Sequence, residues 1–198
     1  VYLGATAAQR AFNGQIERGD VSTIRAAILI ADLRGFTLLS DRLERREMVA
    51  LLDRWFGVMG AAIEVEGGDI LKFMVDGLLA VFPRDGDPQG SCARALAAAR
   101  STVAGTARLN EELAAEGKAA LRFGLALHVG DVEFGNIGAR RRIDFTVIGP
   151  AVNHASRLQD LTKVLQTPLV VSDAFANTLG RPLRSLGSHG LRGVRAPV

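Results

Sequence analysis

Apolar residues run almost unbroken from Arg25 to Ala31, and the run stops at Asp32, which reads as a buried strand ending on a carboxylate. Leu33-Arg34-Gly35-Phe36-Thr37 follows as a turn. From about Asp41 to Val65 the residues Met48, Leu52, Trp55 with Phe56, Met59 and Ile63 recur at helical intervals. Asp41 and Glu44 have capping-box spacing at the start of that helix, and Gly67-Gly68 ends it. Two short apolar runs come next, Asp69–Val75 and Leu78–Phe82, with Asp76-Gly77 between them as a hairpin signal. Asp87-Pro88 supplies an N-cap and a first-turn proline for a long Ala-rich helix that ends near Glu116. Leu121–Val129 reads as a further strand.

In order these elements are β-α-β-β-α-β, an α+β chain with a ferredoxin-like core, its antiparallel sheet flanked by helices. A C-terminal extension follows: an irregular strand pair over Asp131–Ile148, a helix from about Ala151 to Leu165 and a strand at Pro168–Val171. A short helix and a final pair of strands are expected to close it. Residues 1–24 read as an N-terminal connector, and residues 25–198 as one domain.

The topology gives two aspartates a meaning that neither has alone. Strand one lies beside strand three and antiparallel to it, so Asp32 at the end of the first meets Asp76 at the start of the third. An Asp before Gly is by itself ordinary turn chemistry. Two carboxylates forced together repel unless a cation joins them, and such hard oxygen donors suit Mg²⁺ or Mn²⁺ with phosphates completing the shell. The turn at Gly35-Phe36-Thr37, just before a helix, offers backbone N–H groups to a phosphate. Together they imply two-metal chemistry on a nucleotide.

Composition narrows the field. Hydrophobic content of 48% and charged content of 23% are globular values. The net charge is only +3, with no dense Lys/Arg stripe, so a nucleic-acid partner is not indicated. Cys92 is the sole cysteine, which leaves no internal disulfide and fits a reducing compartment. His128, His154 and His189 lack metal-ligand spacing and are assigned no role. A cytoplasmic domain is expected, cut from a longer protein whose N-terminal region regulates it; a membrane anchor elsewhere in that protein is compatible.

Four segments, in order, resemble the signatures of class III adenylate and guanylate cyclases: Ala31–Thr37 (ADLRGFT), Gly68–Phe82 (GDILKFMVDGLLAVF), Phe123–Gly138 (FGLALHVGDVEFGNIG) and Ile143–Leu158 (IDFTVIGPAVNHASRL). The resemblance implies two Mg²⁺ or Mn²⁺ ions per site on Asp32 and Asp76, with Phe36 and Thr37 in the phosphate turn. It implies that Lys72 and Thr146 read the purine base, with Asp144 a misaligned substitute for Thr146. Asn153 would orient the ribose, Arg157 would stabilise the transition state, and Arg122 and Arg192 would contact phosphate. Asn153 and Arg157 are one helical turn apart and share a face. Lys72 and Asp76, placed in one strand, would also share a face, yet Lys72 cannot read the base of the nucleotide held by its own Asp76. A head-to-tail homodimer resolves this, each chain giving metal ligands to one site and base-reading groups to the other. Lys72 points to ATP and cyclic AMP, since an acidic residue there would favour GTP.

Val75 stands where the family has Gly before the second metal Asp. A β-branched residue disfavours positive φ, so the hairpin is expected to open differently and shift Asp76. That departure keeps a degenerate, dimerising or nucleotide-sensing module in view beside the guanylate cyclase alternative. Glu66–Ile70 is superficially similar to a diguanylate cyclase signature, but that signature occupies the hairpin turn, which here is Asp76-Gly77.

Overall fold

The structure, a computed structural model, describes residues 21–83, 86–139 and 142–191, with the backbone alone described between 136 and 145. Its centre is β1 (Val21–Leu33), hydrogen-bonded to β3 (Gly77–Pro83) on one side and β4 (Phe123–Ala139) on the other. With β2 (Asp69–Phe73) and β5 (Arg142–Ile148) the strand order is β2-β3-β1-β4-β5, and β6 (Leu169–Val171) adds to β4. The βαββαβ order is the expected one. The sheet is mixed rather than antiparallel throughout, because β6 returns from the helix before it and pairs parallel with β4.

The unbroken apolar run in β1 has a direct cause. Ala27, Leu29 and Ala31 face a core built with α2 (Arg45–Val65) and α3 (Pro88–Ala115), where Trp55, Met59, Ile63 and Ala95 are fully buried. Ala26, Ile28 and Ile30 face the other way, against Val81, Phe134, Val147 and Ala155, the last on α4 (Pro150–Val164). A strand covered on both faces has no polar side to show. Burial at this density makes each large side chain expensive to truncate.

Five local expectations are corrected. The helix expected over Asp41–Val65 is two helices, α1 (Phe36–Arg42) and α2, broken where Leu43 and Glu44 are extended. The capping box sits at Glu44 and Glu47, one turn after the Asp41–Glu44 pair, because Glu47 reaches back to the Glu44 N–H at 3.4 Å while Glu44 accepts from the Glu47 backbone. β4 is one strand of 17 residues that absorbs the first half of the irregular pair. After α5 (Asp173–Leu179) no strand follows among the described residues, so the expected closing pair is not found there. β1 starts at Val21, four residues before the expected strand. Among the described residues no helix is long and apolar enough to cross a membrane.

Trp55→Ala removes the largest fully buried side chain in the domain and should lower unfolding free energy by about 3–5 kcal/mol in urea denaturation; a loss under about 1 kcal/mol would mean that the α2–sheet contact is not the main core.

Candidate active site

The site forms where three strands end together. Asp32, next to last in β1, lies opposite Gly77 of β3 and Gly124 of β4. Asp76 precedes β3 by one residue, and its carbonyl accepts the Leu33 N–H at 2.7 Å. Backbone pairing therefore holds the two aspartates together. Gly77 is what permits it: a Cβ there would overlap the Ala31 carbonyl oxygen, which is backbone and cannot swing aside.

The hairpin turn lies one residue earlier than expected. Met74 donates its N–H to the Gly77 carbonyl at 2.8 Å, so Val75 and Asp76 occupy the turn and Gly77 opens β3. Gln166 is the one non-glycine residue with positive φ among those described, so Val75 keeps an ordinary backbone conformation. The turn accepts a β-branched residue, and Asp76 is not displaced from Asp32. Because β2 ends at Phe73, Lys72 and Asp76 do not share a strand face as the spacing argued; the turn separates them.

Asp32 is only 23% exposed. Burial, with the neighbouring Asp76 charge and a hydrogen bond to Asp76 adding to it, pushes its carboxyl up to about 6, while Lys163 pulls the other way. A half-buried carboxylate pair of this kind gains from a shared cation. Among the described residues no three His, Cys, Asp or Glu side chains gather as a closed metal cage. The donors are a pair of hard oxygens with room for ligands that the protein does not supply, a set that fits Mg²⁺ or Mn²⁺ completed by phosphate.

One basic group contacts the pair, and two more lie near the end of β1. Lys163, in the last turn of α4, stands 3.6 Å from the Asp32 Oδ2. Arg34 donates to the Thr162 carbonyl at 2.6 Å and the Thr167 carbonyl at 2.7 Å, which ties the end of α4 to the turn after β1. Burial and the neighbouring Arg122 push the Arg34 guanidinium down. Arg122 is exposed, and its carbonyl accepts the Arg34 N–H at 2.7 Å, so the expected phosphate contact lies beside the aspartates. Gly35 adopts φ 70° and turns the chain into α1. Thr37 is exposed at that turn, whereas the Phe36 side chain packs into the core and leaves only its backbone to a ligand.

The remaining expected residues lie elsewhere. Asn153 and Arg157 are both exposed on α4. Asn153 is ten residues before Lys163, about 15 Å along the helix axis. It is thus remote from the aspartates of its own chain. Lys72 is exposed on β2, one residue past a bulge, and Thr146 lies on β5 opposite Gly135. These strands end the strand order yet contact each other, and β5 pairs only with the C-terminal part of β4. Arg192 lies outside the described residues, and the side chain of Asp144 is likewise not described. His128 and His154 stack at 4.3 Å, and His128 bonds Ser172 Oγ at 2.8 Å, a packing pair between β4 and α4. Lys163 was missed by sequence reasoning, since nothing in its neighbours marks it. Arg34 lay within a recognised segment, but only its hydrogen bonds reveal its task.

Comparison with known proteins shows the family to which the chain belongs. The family model described as the adenylate and guanylate cyclase catalytic domain matches residues 21–184. An adenylate cyclase of Anabaena cylindrica is 36% identical over 171 residues, 84% of this chain and 33% of that protein. The chain thus spans about a third of the length of such curated relatives. The crystal structure of the guanylyl cyclase Cya2 superposes with a TM-score of 0.80 at 30% identity, covering 89% of this chain and 90% of that one. The adenylyl cyclase CyaB from P. aeruginosa shares the fold, with a TM-score of 0.82 at 24% identity over 90% and 92% of the two chains.

Two outcomes follow from the geometry. Gly77→Ala should cost about 1–3 kcal/mol or more in thermal or urea unfolding, as β3 must separate from β1; a neutral result would mean that Gly77 does not set the approach of the aspartates. Because the folded pKa of Asp32 lies above its ordinary value of 3.8, the protonated form is favoured by folding. The cost of charging it is full above about pH 6 and fades as pH falls toward 4. Chelator-treated protein should therefore gain about 1–2 kcal/mol, after solvent screening, between pH 7.5 and 5 relative to Asp32→Asn; parallel pH profiles would contradict the crowded pair.

Proposed function

The chain belongs to the family of class III adenylate and guanylate cyclase catalytic domains, and we propose that it closes ATP to 3′,5′-cyclic AMP with release of pyrophosphate. The observation that carries this reading is the Asp32–Asp76 pair beside an exposed phosphate turn and a set of basic side chains.

Asp32 and Asp76 would hold two divalent ions, Mg²⁺ or Mn²⁺. Such ions lower the pKa of the ribose 3′-hydroxyl and neutralise the triphosphate. The protein's own groups then bind and orient. The backbone at Phe36 and Thr37 faces the phosphates, and Arg122 adds charge beside them. The 3′-oxygen gives its proton to water and forms a bond to the α-phosphorus, while the bond from that phosphorus to the bridging oxygen breaks and pyrophosphate leaves with the electron pair. Arg157 neutralises charge that grows on the α-phosphate during this exchange, and Asn153 fixes the ribose. No side-chain nucleophile is needed, since positioning and electrostatics carry the rate.

The ribose and the α-phosphate must both lie next to the ions. Asn153 stands about 15 Å along α4 from the residue that touches its own Asp32. This separation supports a homodimer in which each site takes Asp32 and Asp76 from one chain and Asn153, Arg157, Lys72 and Thr146 from the other. The approach of β2 and β5 within one chain supports Lys72 and Thr146 acting together on one base.

ATP is favoured by Lys72, a donor suited to an adenine acceptor, and by the likeness to an adenylate cyclase over 84% of the chain. A second reading, GTP, has its own support in the likeness to the guanylyl cyclase Cya2 at 30% identity. The ordinary backbone at Val75 removes the main argument for a degenerate module.

Purified protein given ATP or GTP with Mg²⁺ or Mn²⁺ should form cyclic AMP, with specific activity rising with protein concentration as the dimer forms. Cyclic GMP as the main product would establish the second reading, and no cyclic product with either nucleotide at dimer-forming concentrations would overturn both. Arg157→Ala should lower kcat by about 100-fold or more with little change in KM; the reverse pattern would make Arg157 a ground-state binding residue.

A further inference from the structure

Four charged side chains run in line from the aspartate pair along α4. Lys163 Nζ lies 3.6 Å from Asp32 Oδ2 and 3.8 Å from Asp160 Oδ1. Asp160 Oδ2 in turn lies 3.9 Å from Arg157 Nη1. Arg157, Asp160 and Lys163 are spaced three residues apart, so each neighbours the next along a row that winds around the helix. The Lys163 end is held in place, because Arg34 binds the carbonyls of Thr162 and Thr167 on either side of it. Lys163 itself is 48% exposed, so its ammonium can leave Asp32 at little cost.

We propose that Lys163 is the resident counter-cation of the aspartate pair, which a divalent ion must displace, and that its retreat onto Asp160 loosens the hold of Asp160 on Arg157. Lys163 is then a positioning residue rather than a catalytic one. This rests on the reading that Asp32 and Asp76 bind divalent ions. Any ion that joins the two aspartates shares Asp32 with this ammonium, and two cations on one carboxylate repel. The alternative partner is already at hand, since Asp160 is as close to Lys163 as Asp32 within a few tenths of an ångström. Asp160 already shares this ammonium with Asp32 and would then hold it alone, and its grip on the Arg157 guanidinium, long at 3.9 Å, is the contact that gives way. In a head-to-tail dimer Arg157 serves the other site, so filling one site with metal frees the arginine of its partner site.

The test is Mn²⁺ binding to the full chain without nucleotide, read by water-proton relaxation. Lys163→Met should bind Mn²⁺ about two- to fivefold more tightly than the natural sequence, the range expected for loss of one exposed competing charge. Lys163→Arg, which keeps the charge, should restore the original affinity, and thermal unfolding checks that each variant is folded. Equal or weaker binding by Lys163→Met overturns the proposal. Asp32→Asn and Asp76→Asn separate it from the underlying reading: if neither weakens Mn²⁺ binding, the metal assignment fails along with this one. The coupling has its own readout. Asp160→Asn should lower the Hill coefficient for Mn²⁺ activation below that of the natural sequence, toward the value that two ions within one site give alone, whereas an unchanged coefficient would remove Asp160 from the path.

Discussion

Two carboxylates are held side by side, half out of water, by main-chain pairing that their own charge opposes. Asp32 is fixed at the end of a strand buried on both faces, and Asp76 is fixed by the bond from the Leu33 N–H to its carbonyl. Gly77 allows the approach because any side chain there meets the Ala31 carbonyl. Burial of β1 between two helical and strand layers supplies the stability against which this repulsion is set. The rest of the site answers the same charge. Arg34 pins the end of α4 nearby, Lys163 touches Asp32 directly, and Arg122 stands exposed beside them.

The element order and the aspartate pair were legible because each rests on a local signal that tertiary structure does not override. The apolar run Arg25–Ala31, the helical stripe through Trp55 and Met59, and the Asp-Gly pair all have short-range causes. The break at Leu43 was not legible, since Asp41, Glu44 and Glu47 offer overlapping capping pairs and the sequence does not choose between them. The place of the hairpin turn was also misread. Asp-Gly signals a turn through glycine's freedom at positive φ, whereas Gly77 is required for its lack of a Cβ. The concern over Val75 arose from the same error.

The residues assigned through likeness to the cyclase family fall into two groups in space. Asp32, Asp76, Phe36, Thr37 and Arg122 lie at one end of β1. Asn153 lies in the first turn of α4 and Arg157 at its middle, and Lys72 and Thr146 lie on strands that approach each other. Lys163 escaped notice because its importance comes only from where the end of α4 docks. Spacing within a helix shows which side chains share a face, but not what that face meets. The separation of the two groups along α4 is the geometric basis for a site completed by a second chain.

If one active site draws on two copies of this chain, two inactive variants that lack different halves of the site should restore one another when mixed. Asp32→Ala and Arg157→Ala chains are each expected to be nearly inactive alone. Mixed in equal amounts, they should form dimers with one intact site, which takes Asp32 from the arginine variant and Arg157 from the aspartate variant. Recovery of about a quarter of the natural specific activity is expected from random pairing of chains. If the mixture stays as inactive as its parts while a mixed dimer is demonstrably present, the shared-site account is wrong.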